Sequence, residues 1–573
     1  MKHLFLYAKK YKAQVILGPL FKLLEASLEL CVPLIVKLII DVGIKNGDKR
    51  YIILMSLLLV AFGLVGLAFT VIAQYFSAAA SVKTVAGLRG ALFKKIQNFS
   101  YADMDKAGAS TMITRLTDDC NQVQTGMNLT LRLLLRSPFV VFGAMIMAFT
   151  IDVQSALVFV VVIPLIAAVV FAVMIACIPL YGKVQKKLDK VMLLTRENLS
   201  GVRVIRAFGR EETEKANYSE NCKSLAKSQN KAGIIAALLN PLTYTLINFA
   251  VVALVYVGAI RVDSGAITQG AVIAIYNYMS QILVELIKLA NLIINVTKSV
   301  ACAKRIGGVL DAPSMQKNGE AKSGKEDMRG CVSFKNASLK YGESAGYAIN
   351  GLTLDVKSGE TIGIIGGTGS GKSSLVSLIP RFYDATDGSV EVDGVNVADY
   401  DEDALREKIG FVPQKAVLFS GTVRENLLWG NPNATDGDIE SAIENSCSDF
   451  IYEKGGLNCE VEQGGRNFSG GQKQRLTVAR ALVRRPEILV LDDSSSALDF
   501  ATDAKMRKAI AELPYKPTVF VVSQRTGSVC HADKIIVLDN GEVAGIGTHD
   551  ELLNSCEVYK EIHLSQFKKE SAL

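Results

Sequence analysis

The chain contains 573 residues, of which half are hydrophobic and 21% are charged, and its mean hydropathy is +0.28. That length exceeds a single compact core, and a soluble globular protein rarely combines so much apolar composition with so little charge. The net charge of +7 is spread over polar stretches between apolar runs, such as residues 183–210, instead of forming one basic patch. This distribution follows the positive-inside rule for membrane proteins and argues against nucleic acid as a partner.

In chain order, the first predicted element is a short helix on the membrane surface. Residues 1–12 combine Phe5, Leu6 and Tyr7 with several lysines, which is typical of an amphipathic helix at the inner interface. Crossing the hydrocarbon layer takes about 20 mainly apolar residues. Between residues 13 and 305, six segments meet that requirement and predict an all-α, six-helix transmembrane domain: Val15–Ile40, Ile52–Phe76, Leu129–Phe149, Ala156–Ile178, Ile235–Ile260 and Ala266–Val296.

Two of the connections between these segments are long, polar and basic. Residues 77–127 and 179–233 are rich in helix formers and contain no further apolar span. We interpret both as helical hairpins that continue the membrane helices into the cytoplasm, with tips near Ser100–Ala107 and Ala207–Tyr218. Their basic character, together with that of the N-terminus, predicts a multi-pass topology with both chain ends in the cytoplasm.

Charged side chains inside apolar spans indicate either a polar cavity or an ion pair. The first and sixth spans each carry three charged or polar residues at a spacing of three or four, which places them on one helix face: Lys22, Glu25 and Glu29, and Gln281, Glu285 and Lys288. In one interpretation, a cavity is lined by Glu25, Glu29, Gln281 and Glu285, and its carboxylates attract cationic amphiphiles. In the other, the charged groups pair with one another.

The character of the chain changes after residue 305. Residues 306–330 have no apolar period and predict a linker. From residue 331 to residue 573, short β-branched runs alternate with helical patterns, which predicts a cytosolic α/β domain with a largely parallel sheet. The clearest strand candidates are Thr361–Ile365, Ile488–Leu491, Thr518–Val522 and Lys534–Leu538.

A glycine-rich loop follows the first of these strands and precedes a predicted helix, Ser374–Ile379. Its pattern is G-x-x-x-x-G-K-S, in which the glycines allow backbone N–H groups to surround phosphate oxygens. Lys372 supplies a positive charge to the outer phosphates, Ser373 offers a hydroxyl to Mg²⁺, and Asp492 adds a carboxylate for Mg²⁺. The pattern predicts that a nucleotide's phosphates and Mg²⁺ bind at a phosphate loop made of Gly366, Gly367, Thr368, Gly369, Ser370, Gly371, Lys372, Ser373 and Ser374.

The run Asn467–Gln472, with the sequence N-F-S-G-G-Q, leads into a predicted helix, Gln472–Val483, and distinguishes between classes of phosphate-loop protein. It resembles the signature of the ATP-binding cassette family, with Phe468 in place of the usual leucine. Further family positions match in order: Tyr341 for stacking on adenine, Gln414 for the nucleotide and Mg²⁺, and Ser496–Asp499. The resemblance covers essentially the whole chain, since six spans before such a domain form an exporter half-transporter. It implies that the signature closes over the phosphate loop of a second cassette, in trans, through Ser469, Gly470, Gly471 and Gln472.

Two positions depart from the family pattern at the catalytic centre. Asp493 stands where the family has a glutamate that orients or deprotonates the attacking water, and its side chain is one methylene shorter. Gln524 stands where the family has a histidine that contacts the γ-phosphate, and a neutral amide supplies no positive charge. A general base must reach within about 3 Å of its water, so the two changes predict a site that binds ATP and hydrolyses it poorly. Before the signature, Gln463 also replaces a glutamate.

A chain with the substitutions at 493 and 524 resembles the degenerate member of heterodimeric bacterial multidrug-type exporters. The resemblance implies ATP-driven export of hydrophobic or cationic small molecules across the lipid bilayer of the bacterial cytoplasmic membrane. Hydrolysis would then occur mainly at a site completed with a second half-transporter. A homodimer with slow hydrolysis stays open, as does lipid flipping, which uses the same architecture. An importer and an ATP-regulated channel or regulator are the competing classes.

Overall fold

The computed structural model describes residues 2–313, 316–342 and 345–567. The chain divides into two compact units. The first unit comprises the chain up to Gln97 together with Ala109–Ala312, and the second comprises Asn98–Gly108 together with the chain from Pro313 onward. The tip of the first predicted hairpin therefore belongs to the second unit, in which it forms the helix Tyr101–Ala107.

The first unit is helical because its apolar runs continue into polar stretches rich in helix formers. Its longest helices, Lys49–Gln97 and Val153–Ser200, have 49 and 48 residues. At about 1.5 Å per residue each is roughly 70 Å long, more than twice the hydrocarbon thickness of a bilayer. The described α-helices of this unit are Lys2–Lys9, Lys12–Leu38, Lys49–Gln97, Ala109–Thr114, Cys120–Leu133, Arg136–Ile151, Val153–Ser200, Val202–Ala207, Glu211–Ala237, Leu239–Asp263 and Gln269–Leu310, with π-helical turns at Ile39–Ile44 and Arg115–Asp119.

Fewer membrane-crossing helices are found than the six that the sequence predicts. Within the described ranges, five helical stretches have the necessary length and apolar composition: Lys49–Gln97, Ala109–Ile151, Val153–Ser200, Glu211–Asp263 and Gln269–Leu310. The difference lies in the first predicted span, which forms the helix Lys12–Leu38. Lys22, Glu25 and Glu29 interrupt the apolar run of this helix. A sixth crossing therefore stays a prediction.

Small residues line the interior of the first unit. Ala26, Ala144, Ala156 and Ala250 are buried and belong to one apolar cluster. Small side chains let helix backbones approach closely, which favours helix association within a membrane. Large apolar side chains at least 60% exposed to the exterior include Leu57, Leu64, Leu67 and Val71. Such an inverted distribution is expected where the exterior of the bundle contacts lipid.

The N-terminal helix Lys2–Lys9 has two different apolar faces. Leu4 and Tyr7 pack against an apolar cluster of the first unit, whereas Phe5 and Leu6 are exposed. This arrangement leaves one apolar face for contact with a membrane surface, and the interfacial location that the sequence suggests for residues 1–12 stays a prediction. Met1 lies outside the described residues.

The second unit combines β-sheets with short helices. Its described strands are β1 (Val332–Leu339), β2 (Ile349–Val356), β3 (Thr361–Gly366), β4 (Asp387–Val392), β5 (Val395–Asn396), β6 (Ile409–Val412), β7 (Gly421–Thr422), β8 (Glu460–Val461), β9 (Ile488–Asp492), β10 (Thr518–Val522), β11 (Lys534–Asp539) and β12 (Glu542–Gly547). They form sheets of order β2-β1-β4-β5, β12-β11-β3-β10-β9-β6 and β7-β8. The described α-helices are Tyr101–Ala107, Lys372–Ser377, Glu402–Glu407, Val423–Leu428, Asp436–Asn445, Phe450–Glu453, Gly470–Leu482, Phe500–Ala511, Thr526–Val529, His549–Ser555 and Glu557–Phe567.

The order of the central strands determines where the functional loops meet. β3 pairs in parallel with β10 and β11, and β10 pairs in parallel with β9. The carboxyl ends of parallel strands lie at the same edge of a sheet. That edge therefore receives the phosphate loop after Gly366, the pair Asp492 and Asp493 at the end of β9, and Gln524 after β10.

The stretch predicted as a linker, residues 306–330, is divided differently in the structure. Its first residues complete the helix Gln269–Leu310. From residue 316 the chain is part of the second unit and packs against its residues near Tyr400. The Gly319 N–H donates to the Tyr400 carbonyl oxygen at 3.0 Å. A polar stretch without its own apolar period is ordered here through backbone hydrogen bonds to a neighbouring segment.

Candidate functional site

The phosphate loop connects β3 to the helix Lys372–Ser377. Gly369 and Gly371 have left-handed backbones, with φ of 81° and 99°, which glycine adopts without steric cost. A Cβ at Gly371 would collide with the Ala348 carbonyl oxygen, so the loop curls tightly at this point. The helix begins two residues earlier than predicted because Gly371 forms its N-terminal cap.

Lys372 lies inside the curl of this loop. Its Nζ donates to the carbonyl oxygens of Gly366 and Gly367, at 3.0 and 2.6 Å. Burial lowers the pKa of the Lys372 ammonium, whereas the nearby Asp493 and Asp492 carboxylates act in the opposite direction. The lysine is therefore desolvated in a position from which phosphate oxygens would restore favourable contacts for its charge.

Ser373 and Asp492 meet at the same edge, from the loop and from the end of β9. Ser373 Oγ donates to Asp492 Oδ1 at 2.8 Å. Burial raises the pKa of the Asp492 carboxyl; the Ser373 hydrogen bond opposes this change, and the charge of Asp493 adds to it. Hydroxyl and carboxylate oxygens are ligands that Mg²⁺ prefers, and Mg²⁺ usually keeps water and phosphate oxygens as its other ligands. The pair therefore fits a Mg²⁺ site.

The loop opens onto a cleft of about 290 Å³. Residues from distant parts of the chain line it: Tyr341, Thr368, Gly369, Gly371, Lys372, Ser373, Ser374, Gln414, Asp493 and Gln524. Gln414 Nε2 donates to Asp493 Oδ2 at 3.2 Å. Asp493 has a left-handed backbone, with φ of 47°, a conformation that aspartate adopts more readily than most residues. Ser370 is buried within the loop itself.

The signature predicted from the sequence lies at the start of the helix Gly470–Leu482. Ser469 Oγ accepts a hydrogen bond from the Gln472 N–H, and Gln472 Oε1 accepts one from the Ser469 N–H at 3.0 Å. This reciprocal capping starts the helix two residues before Gln472, the predicted start. Ser469 and Gly470 are exposed. Among the described residues that line the cleft, none comes from positions 469–472.

Phe468, which departs from the usual leucine, is buried beneath the signature. Its ring lies edge-on to Phe450, with 6.2 Å between centroids, and Lys454 Nζ lies 4.9 Å from its centroid. The same ammonium is 3.4 Å from Gln472 Oε1. The larger ring therefore supports the start of the helix through packing and a cation–π contact. The sequence alone offers no signal for the role of Lys454.

Comparison with known proteins assigns this combination of units to a family. A model of the ABC transporter transmembrane region matches residues 15–286, and a model described as ABC transporter matches residues 349–496. An ABC transporter ATP-binding protein of Mycobacterium tuberculosis (strain H37Rv) is 35% identical over 568 residues, which cover 98% of this chain and 97% of that relative. The chain belongs to the ABC transporter family.

Further relatives of this ABC transporter have names that describe export or flipping. YgaD of Bacillus subtilis, named as a multidrug export ATP-binding/permease protein, is 31% identical over 590 residues, with 99% of each chain covered. The ATP-dependent lipid A-core flippase of Chromohalobacter salexigens is 29% identical over 535 residues, 93% of this chain and 92% of that protein. A bacterial Atm1-family ABC exporter solved with ATP bound shares the fold, with a TM-score of 0.83, 22% identity, and 97% and 98% of the two chains covered. This ABC transporter therefore joins a multi-pass transmembrane region to an ABC ATPase domain.

Sequence reasoning missed Tyr383, at the edge of the transporter's nucleotide cleft. The ring of Tyr383 lies edge-on to Tyr341, with 5.0 Å between centroids and 90° between planes. Tyr341 donates its hydroxyl to Ser374 Oγ at 2.9 Å, and Tyr383 donates its own to Asp105 Oδ2 at 2.6 Å. Asp105 belongs to the hairpin-tip helix, whose Tyr101 also stacks on the residue before Tyr383. The available signal was an aromatic pair shortly after the phosphate-loop helix.

Arg136, also missed, is central to a partly buried group of charges in the first unit. Its guanidinium pairs with Glu29 at 2.6 Å and with Glu285, and lies 4.0 Å from Glu25. Ser137 Oγ donates to the other carboxylate oxygen of Glu285 at 2.8 Å. Glu285 and Arg136 are both buried, so their charges are separated from solvent and depend on each other.

Two lysines complete this group, which we call the charge cluster. Lys22 pairs with Glu25, and Lys288 pairs with Glu285 at 2.8 Å. Formal charges in the cluster are balanced, with three cations and three carboxylates: Lys22, Arg136 and Lys288, and Glu25, Glu29 and Glu285. This pairing agrees with the alternative of mutual ion pairing, and attraction of cationic amphiphiles by the carboxylates stays a prediction.

Gln281, the remaining residue of the predicted cavity lining, also contacts this region. Its Nε2 donates to the backbone carbonyl oxygen of Glu29 at 3.4 Å. The amide therefore connects the helix Gln269–Leu310 to the helix Lys12–Leu38. A lining role for Gln281 stays a prediction, while the alternative of mutual ion pairing describes the charged residues of both helices.

Proposed function

We propose that this ABC exporter is the degenerate half of a heterodimer, which binds ATP at its own phosphate loop and completes a competent site on its partner. The observation that carries the proposal is that Asp493 and Gln524 face the same cleft as Lys372. Both departures from the family pattern therefore concern one nucleotide. ATP and Mg²⁺ would be held by the phosphate loop, Ser373 and Asp492.

The geometry around Asp493 supports poor hydrolysis at this site. The carboxylate is short, accepts a hydrogen bond from Gln414 at 3.2 Å, and projects from a left-handed backbone. A general base must reach its water within about 3 Å, and a side chain shorter by one methylene has less reach. Gln524 can donate a hydrogen bond to a phosphate oxygen but brings no positive charge to the transition state.

The signature supports a role in trans. Ser469 is exposed at the start of a capped helix and does not line the described cleft of its own chain. The N–H groups at the start of a helix bind phosphate oxygens well. Since the Ser-Gly-Gly-Gln core is retained, the chain would complete the partner's site even where its own is weak.

The test restores the family residues. We expect Asp493→Glu combined with Gln524→His to raise ATP turnover of the isolated chain by about 10²-fold, the usual effect of one preorganised catalytic group. Lys372→Ala added to the same background should remove the gain, which controls for contaminating ATPases. Strong turnover by the unmodified chain alone, lost in Asp493→Asn, would overturn the degenerate site, and slow turnover lost in the same variant would support the homodimer with slow hydrolysis.

The transported molecule is proposed to be hydrophobic or amphipathic. The names of YgaD and the lipid A-core flippase support drug export and lipid flipping as the two leading forms of this activity. The balanced charge cluster provides no fixed anionic site that would restrict the substrate to cations. Inverted vesicles supplied with ATP should accumulate a fluorescent amphiphile in one case and redistribute a headgroup-labelled lipid in the other. Failure of both would favour a regulator or channel.

The proposed location is the bacterial cytoplasmic membrane, with six crossings and both termini in the cytoplasm. The basic polar stretches between apolar runs support this orientation. An import role would require ATP-dependent loss of substrate from inverted vesicles, so the direction of movement separates importer from exporter. Labelling of engineered single cysteines in intact cells and in inverted vesicles would test the orientation of each terminus.

A further inference from the structure

The loop that brings Gln524 to the nucleotide cleft is held by the last described helix of the chain, Glu557–Phe567. Gln566 Nε2 donates to the carbonyl oxygen of Gln524 at 2.8 Å. Gln566 Oε1 accepts from the Thr526 N–H at 2.9 Å and from the Thr526 hydroxyl at 3.0 Å. One side-chain amide thus spans the backbone on both sides of residue 525.

This amide acts on the loop as a neighbouring peptide group would. Only one orientation of the amide matches its donor to a carbonyl and its acceptor to an N–H, so both of its functional groups are used. Thr526 is fully buried and begins the short helix Thr526–Val529, whose N-terminal cap residue forms no side-chain capping bond. Gln566 therefore accepts a hydrogen bond from the buried N–H of Thr526 at the start of this helix, and at the same time holds the carbonyl group of Gln524 in place.

Contacts of Arg525, on the side of the loop away from Gln566, further restrain the loop. Arg525 Nη1 donates to the Leu498 carbonyl oxygen at 3.4 Å, and its guanidinium lies 4.8 Å from the centroid of Phe500. On the helix side, Tyr559 is fully buried and bonds His549 Nδ1 through its hydroxyl at 2.7 Å. Residue 524 is therefore positioned between the segment after Asp492 and a C-terminal helix that is itself well anchored.

We propose that Gln566 is a positioning residue for the nucleotide site, and that the C-terminal helix controls how firmly residue 524 meets the nucleotide. The inference rests on the proposed function in one respect, that residue 524 contacts bound ATP. Loss of the donor to the Gln524 carbonyl would let the loop move away from the cleft. ATP would then leave this chain's site faster, while the packing of the helix would be unchanged.

The experiment uses the full chain in detergent, with a fluorescent ATP analogue and Mg²⁺. Gln566→Ala should raise the dissociation rate of the analogue about fivefold, the effect of one typical hydrogen bond, and raise deuterium exchange in a peptide covering residues 523–529 by a similar factor. Gln566→Glu keeps the acceptor for Thr526 and loses the donor for Gln524. It should therefore speed dissociation as the alanine variant does while leaving the Thr526 amide protected.

Two reference variants make the result specific. Ser565→Ala changes the adjacent exposed residue, whose hydroxyl donates to the Ile562 carbonyl oxygen of its own helix, and should alter neither readout. Lys372→Ala supplies the blank for binding at this phosphate loop. If both Gln566 variants release the analogue at the wild-type rate, or if all effects follow a lowered thermal unfolding midpoint, the inference is overturned. If the wild-type chain binds no analogue, the proposed function fails, whereas the exchange measurement still decides whether Gln566 restrains the loop.

Discussion

The charge cluster and the nucleotide cleft both bury charged side chains, but they balance them differently. In the charge cluster, every carboxylate pairs with a lysine or arginine of the protein, and the formal charges sum to zero. In the cleft, one buried cation, Lys372, faces two buried carboxylates, Asp492 and Asp493. The cleft is therefore left with charges and hydrogen-bonding groups that its own side chains do not fully compensate.

This difference teaches how a buried charge used for structure differs from one used for binding. Burial disfavours the charged forms of both Lys372 and Asp492, as the directions of their pKa changes show. A triphosphate and Mg²⁺ would supply the missing opposite charges. The free energy that burying Lys372 and Asp492 costs the nucleotide-free protein would then be offset when the nucleotide binds. The charge cluster needs no such ligand, because its charges balance within the protein. Removing a charge from the cluster should therefore destabilise the folded state, whereas removing the Asp492 charge from the cleft should stabilise it.

The largest expected effect comes from breaking the charge cluster. Arg136→Met leaves Glu29 and Glu285 without their central cation and should destabilise the folded transporter by about 3–5 kcal/mol. Folded yield in the membrane and thermal unfolding in detergent measure this. Arg136→Met with Glu285→Met leaves two cations and two carboxylates and should recover most of the loss. A single variant as stable as the wild type would show that the cluster is not structural.

The next effect separates the two faces of the nucleotide-binding unit. Ser469→Arg places a bulky cation where the signature would meet the partner's nucleotide, and should lower ATP turnover of the complex by about 10²-fold or more. Lys372→Ala, which should remove ATP from the site that we propose to be degenerate, should reduce turnover less. Lys508→Ala, at a highly exposed position, provides the control for loss of a lysine. The reverse ranking of Ser469→Arg and Lys372→Ala would place the main hydrolysis at this chain's own loop.

A smaller effect, of the opposite sign to that in the cluster, is expected at Asp492. The pKa of its carboxyl is raised by burial above the ordinary 3.8, so the folded state keeps this proton to a higher pH than the unfolded state does. Stability of the nucleotide-free protein therefore falls as pH rises from about that ordinary value through the folded-state pKa. Asp492→Asn should be more stable than the wild type at pH 7, an advantage that disappears toward pH 4, while it loses Mg²⁺-dependent ATP binding.

Asp499 provides a matched control for this measurement. A backbone hydrogen bond from Thr502 lowers the pKa of Asp499, so its charged form stabilises the fold. Asp499→Asn should therefore be no more stable than the wild type at pH 7. If the unfolding midpoints of Asp492→Asn and Asp499→Asn shift alike, the contrast between a binding charge and a structural charge does not hold in this unit.

The smallest effect on ATP binding is expected at the edge of the cleft formed by the aromatic rings of Tyr341 and Tyr383. Tyr383→Phe removes the hydrogen bond to Asp105 while keeping the ring against Tyr341, and should weaken ATP binding by about two- to fivefold. Tyr347→Phe removes a comparable hydroxyl contact, to Asp387, and serves as the control. Equal ATP affinities for the two variants would show that the hairpin-tip helix does not influence the adenine side of the cleft.

Sequence reasoning worked best where a function depends on a short, continuous segment. The phosphate loop needs left-handed backbones at Gly369 and Gly371 between a strand and a helix. Residues adjacent in the sequence meet these requirements, so the sequence pattern reveals them. It was less successful at element ends, because caps such as Gly371 and Ser469 moved both predicted helix starts. A crossing by the helix Lys12–Leu38 stays a prediction, because apolar length suggests it while the charges at Lys22, Glu25 and Glu29 interrupt the apolar run.

By itself, the amino-acid sequence determined the division into an apolar helical half and an α/β half, the phosphate loop, the signature and the departures at Asp493 and Gln524. These depend on local patterns of hydrophobicity, glycine and charge. Only the tertiary structure decided that Arg136 pairs with Glu29 and Glu285, that Tyr383 connects Asp105 to Tyr341, and that Gln566 holds the loop of Gln524. Such contacts join residues distant in the chain, and they form only where packed backbones bring particular side-chain atoms within about 3 Å of each other.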